Sequence, residues 1–303
     1  MMLSKIVILA NKWWEATALV SVLEHTRDIK QKFSASPSTL VTERLLSPRE
    51  YAPSPRIVGE LSGIRLEVRC IEDLVGRDRN SSSSYHKQQV LCEAAGCGEF
   101  DGALVVAFGT CASPLPQCAG NVIVGSDVFV FDARESSESD EYAELGEYVE
   151  SVIVSETGRE ILASSDIQDA CTEMPSRFVV PPNSSSKNPT LIADSHQLAL
   201  SVVNVLDNRS YHKYDALALE RVTSKAFSGE IRSVETTHGL IRLCVDQPFL
   251  FVSGVTNQLG RFEEEFSSAQ YPQAFAASHN AAVTLSWLFP SLCSYLQHEM
   301  ISG

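Results

Sequence analysis

Two polar residues, Glu235 and Asn257, stand where apolar runs end within SVETTHGLIRLCVDQPFLFVSGVTN (233–257). Glu235 heads an amphipathic segment, and Asn257 closes a β-rich run entered through Pro248 and Phe249. A carboxylate and an amide delivered together to the carboxyl ends of strands can grip a polar ligand, because open α/β sheets bind their ligands there. Each residue also has a purely structural reading, Glu235 as a helix cap and Asn257 as a strand terminus. A third place of interest is GALVVAF (102–108), followed by Gly109, Thr110, Cys111, Ala112 and Ser113. Such small residues either let backbone approach a ligand closely or make a plain tight turn.

The elements around these residues alternate. KIVILA (5–10) reads as a buried strand, and residues 14–25 have helical spacing with Ala16, Leu19, Val22 and Leu23 on one face. Strands are expected over 57–61, 64–70, 102–108 and, as one long run, 121–131. Helices are expected over 86–97, 194–206 and 274–288, and 215–225 reads as a strand. The Ser- and Pro-rich stretch 30–58 carries no clear periodicity, and the acidic stretch 132–150 reads as a solvated surface segment that turns helical towards its end. This order predicts an α/β fold, a single domain over 1–303 with a central mixed β-sheet flanked by helices, interrupted by insertions near 30–58 and 132–195.

Composition narrows the function. The chain has 303 residues, a 44% hydrophobic fraction and a formal charge of −14. That acidity disfavours a broad phosphate-backbone contact, so no nucleic-acid partner is expected. The apolar run at the amino end is too short for a membrane span and poorly shaped for a secretory signal, so no membrane partner and a cytoplasmic location are expected. The eight cysteines form no CxxC pair and match no zinc spacing, so free thiols and no metal are expected.

Four blocks occur in an order that resembles the nucleoside phosphorylase/nucleosidase superfamily, especially the 5′-methylthioadenosine/S-adenosylhomocysteine nucleosidases. They are ILANKWWEATAL (8–19), ALVVAFGTCAS with GNVIVGSDVFVFDA (103–113 and 120–133), VTSKAFSG (222–229), and SVETTHGLIRLC with PFLFVSGVTN. The resemblance implies a nucleoside phosphorylase-like fold, a small-molecule nucleoside substrate, no cofactor and a homo-oligomer. It places Glu15 where the family's glutamate activates water, Val234-Glu235 where a Met-Glu pair holds the ribose hydroxyls, Phe227 where an aromatic ring stacks on the base, and Gly109-Thr110 at the small hydroxyl position beside the nucleophile. Two departures stand out. The nucleosidases protonate the purine with an aspartate, where this chain has Asn257, as trimeric purine nucleoside phosphorylases do; an amide is no general acid near neutral pH. The phosphate site of the phosphorylases is also poorly matched, with Asn11-Lys12-Trp13-Trp14 in place of a glycine loop and Ala107 in place of an arginine. The expected reaction is hydrolysis of the N-ribosidic bond of a purine-type nucleoside. Phosphorolysis, or nucleoside binding without catalysis, are the alternatives. His238 and His279 read as ordinary helical residues.

Overall fold

The computed structural model describes residues 3–25, 57–76, 79–132, 151–175, 178–184, 186–203, 218–220, 222, 231–266 and 269–302. In chain order the elements are β1 (Lys5–Ala10), α1 (Trp13–His25), β2 (Ile57–Leu61), β3 (Ile64–Cys70), α2 (Ile71–Val75), α3 (Ser84–Gly96), β4 (Ala103–Ser113), β5 (Val122–Gly125), β6 (Asp127–Asp132), β7 (Ser151–Ile153), α4 (Glu156–Ala163), α5 (Ser165–Glu173), β8 (Leu191–Ala193), β9 (Leu198–Val203), β10 (Ile231–Glu235), α6 (His238–Cys244), β11 (Phe249–Gln258), α7 (Phe262–Glu265) and α8 (Gln270–Ser302).

The strands form one mixed sheet with helices on its faces, as the alternation of elements predicts. β1 lies parallel between β3 and β4, and β11 runs parallel to β4 on its other side. Every residue of β4 except Thr110 is buried, which is why its sequence is apolar almost throughout. β10 meets β4 only through Val234 opposite Ala112, and continues the sheet through β9 and β6. The carboxyl ends of β1, β4, β10 and β11 therefore converge, and the candidate residues stand at those ends.

Helix α8 covers one face. It approaches β11 so closely that a Cβ on Gly254 would lie 2.0 Å from the Ala277 carbonyl oxygen. Ile8, Phe108, Val252 and Leu285 belong to the core on this side, and Val7, Val105, Leu240 and Phe251 to the core on the other.

Several local expectations need correction. Residues 198–203 form a strand, not a helix: LALSVV is buried throughout between β6 and β10, and a short continuous apolar run has no periodicity to separate the two. Within 215–225, expected as a strand, the described residues Ala218, Leu219, Glu220 and Val222 are helical. The long strand expected over 121–131 is broken at Ser126 into β5 and β6. Gly109 to Ser113 make neither a turn nor a loop; they continue β4, paired with β11 as far as Gln258. The thiols are not all free, because Cys92 on α3 and Cys244 on α6 form a disulfide across 152 positions. Linear spacing carries no sign of that pairing; the packing of α3 against α6 creates it. Phe227 and most of 30–58 lie outside the described residues, whereas β7, α4, α5 and β8 are built from the described part of 132–195.

Candidate active site

The converging strand ends enclose a cavity of about 200 Å³. Glu15, Gly109, Thr110, Val234, Glu235 and Asn257 all line it, so every sequence-derived candidate within the described residues is brought to one place.

Glu15 is buried on the first turn of α1, at 2% exposure. Its Oε1 accepts hydrogen bonds from the Thr110 amide at 2.8 Å and the Thr110 hydroxyl at 2.9 Å, and its Oε2 accepts the Lys12 amide at 2.8 Å. Three donors fix the carboxylate and favour its charged form, yet burial outweighs them and holds the Glu15 pKa above the ordinary glutamate value. That combination suits a general base, which must be both oriented and willing to take a proton. Gly109 is part of the arrangement, since a Cβ there would lie 3.1 Å from Glu15 Oε1. Gly109→Ala should therefore displace the carboxylate by a few tenths of an ångström. We expect turnover to fall roughly tenfold or more with the unfolding midpoint nearly unchanged, because misplacement of a positioned group costs rate before it costs packing; steady-state kinetics beside a thermal melt would show it.

Glu235 caps a helix, as one of its two sequence readings has it. Its Oε2 caps α6, accepting the amides of Thr237 and of His238, the latter at 2.7 Å. Its Oε1 is buried and has no hydrogen-bond partner among the described residues. A buried carboxylate oxygen left unpaired is costly, so this atom is available to a donor that a ligand would bring. Beside it, at 3.8 Å, lies Nδ1 of His238, which is likewise unpaired. His238 stacks on Phe251 at 5.5 Å between ring centres. Burial holds it below the ordinary imidazole range, with Glu235 pulling the other way, which favours the neutral ring. Sequence reasoning passed over His238 as an ordinary helical residue; its position three residues after Glu235 was the available signal.

Asn257 is held at the end of β11. Its Oδ1 accepts the Thr256 hydroxyl at 2.7 Å and its Nδ2 donates to the Gln258 carbonyl at 3.1 Å. The amide has two N–H groups and two acceptor lone pairs, so one of each is left for a ligand. Gln273 on α8 fixes the same corner by donating to the Thr256 carbonyl at 2.8 Å, and Glu265 accepts the Gln258 amide at 2.7 Å. Phe262 and Phe266, 5.0 Å apart, add an aromatic wall that the sequence did not single out.

Lys12 is not free to attract an anion. Its ammonium pairs with Glu72 at 3.2 Å, and Glu72 also accepts the Trp13 amide at 3.0 Å. Trp14 lines the cavity, and Trp13, Trp14, Tyr271 and Phe275 form edge-on contacts, with Tyr271 59% exposed. His279 lies on α8 and is not part of the cavity lining. Among the described residues no group of three or more His, Cys, Asp or Glu side chains could hold a metal ion.

No protein-family model and no curated protein matches this chain. Solved structures do match it. The 5′-methylthioadenosine/S-adenosylhomocysteine nucleosidase of Neisseria meningitidis, in complex with methylthio-immucillin-A, superposes with a TM-score of 0.53 at 13% identity over 95% of this chain and 100% of the other. The corresponding enzyme of S. pneumoniae, with a transition-state inhibitor, gives 0.54 at 12% identity over 95% and 99%. A nucleosidase assigned as putative from Borrelia burgdorferi, bound to adenine, gives 0.53 at 9% identity over 94% and 99%. This chain has the nucleoside phosphorylase/nucleosidase fold. At such low identity the match speaks for the fold alone. Among the described residues no helix is long and apolar enough to cross a membrane.

Proposed function

We propose that the protein is a nucleosidase that hydrolyses the N-ribosidic bond of a purine-type nucleoside or nucleoside derivative. The observation that carries this reading is the pairing of two buried carboxylates in one cavity, one fully held by donors and the other with an oxygen left open. Glu235 Oε1 accepts the adjacent 2′- and 3′-hydroxyls of the ribose. Glu15 takes a proton from water as the water oxygen bonds to the anomeric carbon. The carbon–nitrogen bond breaks with its electron pair going to the base, and the free N–H of Asn257 donates to the base as charge develops there. The base then takes its proton from solvent, since Asn257 has none to give. Positive charge developing on the sugar is stabilised by the carboxylates around it.

Water is favoured over phosphate as nucleophile because the buried carboxylate of Glu15, positioned as the base, repels an anion at that place, and Lys12 beside it is committed to Glu72. The absence of an acid at Asn257 favours a base that leaves readily or a 6-oxopurine able to pair with an amide. The rest of the reading is a single nucleoside phosphorylase-like domain over 1–303 with insertions near 30–58 and 132–195, a cytoplasmic protein, and a homo-oligomer that uses the exposed aromatic group around Tyr271 and Phe275. Base stacking by Phe227, which lies outside the described residues, belongs to the same proposal.

Chromatography of free base released from a panel of purine nucleosides, with and without phosphate, tests the reaction. Release independent of phosphate supports it, and no release from any member points instead to a binding protein. Glu235→Gln tests the sugar contact. It should lower kcat/KM for a ribonucleoside about 10- to 100-fold, the worth of a charged hydrogen bond, and should narrow the preference over the 2′-deoxynucleoside.

A further inference from the structure

Lys87 is a charged group of the cavity that the reaction above does not use, and unlike Lys12 it has no carboxylate paired with it among the described residues. It stands on the first turn of α3, is only 4% exposed, and lines the cavity together with Ser82 and Ser84. Its ammonium has no hydrogen-bond or ion-pair partner among the described residues. The carboxylates near it are engaged, Glu235 through one oxygen only. Glu15 has its three donors, Glu72 holds Lys12, the Trp13 amide and the Ser81 hydroxyl, and Glu235 caps α6. A buried, unpaired ammonium is expensive to keep, and burial pushes its pKa down to about 7, with Lys12 adding to the effect and Glu15, Glu72 and Glu235 opposing it. The amino end of α3, a helix of 13 residues, adds the positive end of its dipole at the same point.

We propose that Lys87 and the amino end of α3, with Ser82 and Ser84, form a subsite for a phosphate group carried by the substrate, so that the nucleoside derivative cleaved is a nucleoside 5′-phosphate. The position on the sugar follows from the nucleosidase reading, on which this step rests. The anomeric carbon bears the base, Glu235 holds the 2′- and 3′-hydroxyls, and the ring is closed at the fourth carbon, so the fifth carbon is the one that can carry an anion. A tetrahedral oxyanion suits a lysine, two serines and a helix terminus better than it suits the apolar side of the cavity.

The base is not needed to test this. Calorimetric titration with ribose 5-phosphate, ribose and inorganic phosphate should show ribose 5-phosphate binding roughly tenfold or more tighter than either fragment, the worth of one charge-assisted contact. That advantage over ribose should vanish in Lys87→Met, persist in part in Lys87→Arg, and decline in the wild type as the pH rises above about 7 and the ammonium loses its proton. Lys87→Met should itself fold, with a raised melting temperature, since it removes an unpaired buried charge; Lys87→Gln serves as the second variant if it does not. Equal affinity for ribose and ribose 5-phosphate, or an advantage unchanged in Lys87→Met, would overturn the subsite. Inorganic phosphate binding as tightly as ribose 5-phosphate, with both lost in Lys87→Met, would overturn its assignment to the substrate. If ribose 5-phosphate binding depends on Lys87 but is indifferent to Glu235→Gln, the subsite stands and the nucleosidase reading of the sugar contact fails.

Discussion

Glu15→Gln will lower kcat for base release by about 10²- to 10⁴-fold, the usual range for removing a positioned general base. Glutamine keeps the size of the side chain and an oxygen for the Thr110 donors, but its amide cannot take a proton from water. Substrate affinity should change little, because the sugar contact proposed above resides on Glu235. The pH dependence provides an independent check. Burial raises the Glu15 pKa, so the folded enzyme protonates this group at a higher pH than an exposed glutamate would. The base works only when ionised, hence activity should be present on the alkaline side and be lost as the pH falls through a value above the ordinary glutamate range. A rate profile whose acid limb lies at the ordinary glutamate value, or Glu15→Gln with wild-type turnover, would remove Glu15 from the role.

Gly254→Ala should be the most damaging single-methyl substitution for stability. The added carbon would sit 2.0 Å from the Ala277 carbonyl oxygen, with the Ala277 backbone carbon at 2.5 Å, and neither atom belongs to a side chain that can rotate away. Relief requires β11 and α8 to separate, and α8 supplies Ala281, Leu285 and Leu288 to the core. Overpacking of this kind costs about 3 kcal/mol, and the shift would also move Asn257 and the Gln273 contact at the end of the same strand. Denaturant unfolding of the purified variant measures the loss; a change below about 1 kcal/mol would mean that the two elements separate easily.

The parts of the site visible in the sequence share one property. Glu15, Thr110, Glu235 and Asn257 each stand at or just beyond the end of an apolar run, and a polar residue in that setting is conspicuous because burial there is costly without a partner. The convergence of Glu15, Thr110 and Asn257 follows from the parallel pairing of β1, β4 and β11, which the apolar character of KIVILA, ALVVAF and FLFV predicts, whereas Glu235 arrives on β10 through the antiparallel contact of Val234 with Ala112. Lys87 lacks such a marker. It lies in YHKQQ, a stretch polar enough to suggest a solvated helix face, and only the packing of α3 over the strand ends buries it. His238 was hidden for a similar reason, since its neighbours Thr237 and Gly239 suggest a helix start and nothing more. The Cys92–Cys244 disulfide and the strand at 198–203 depend on contacts between distant segments, which local pattern does not encode.

The most direct measurement is proton and phosphorus NMR of the sugar product formed from a cleaved nucleoside or nucleotide in phosphate-containing buffer. Water activated by Glu15 predicts a free sugar at the anomeric carbon, with no sugar 1-phosphate resonance and the same initial rate when phosphate is omitted. A sugar 1-phosphate signal that grows with base release would contradict that account and make phosphate the nucleophile.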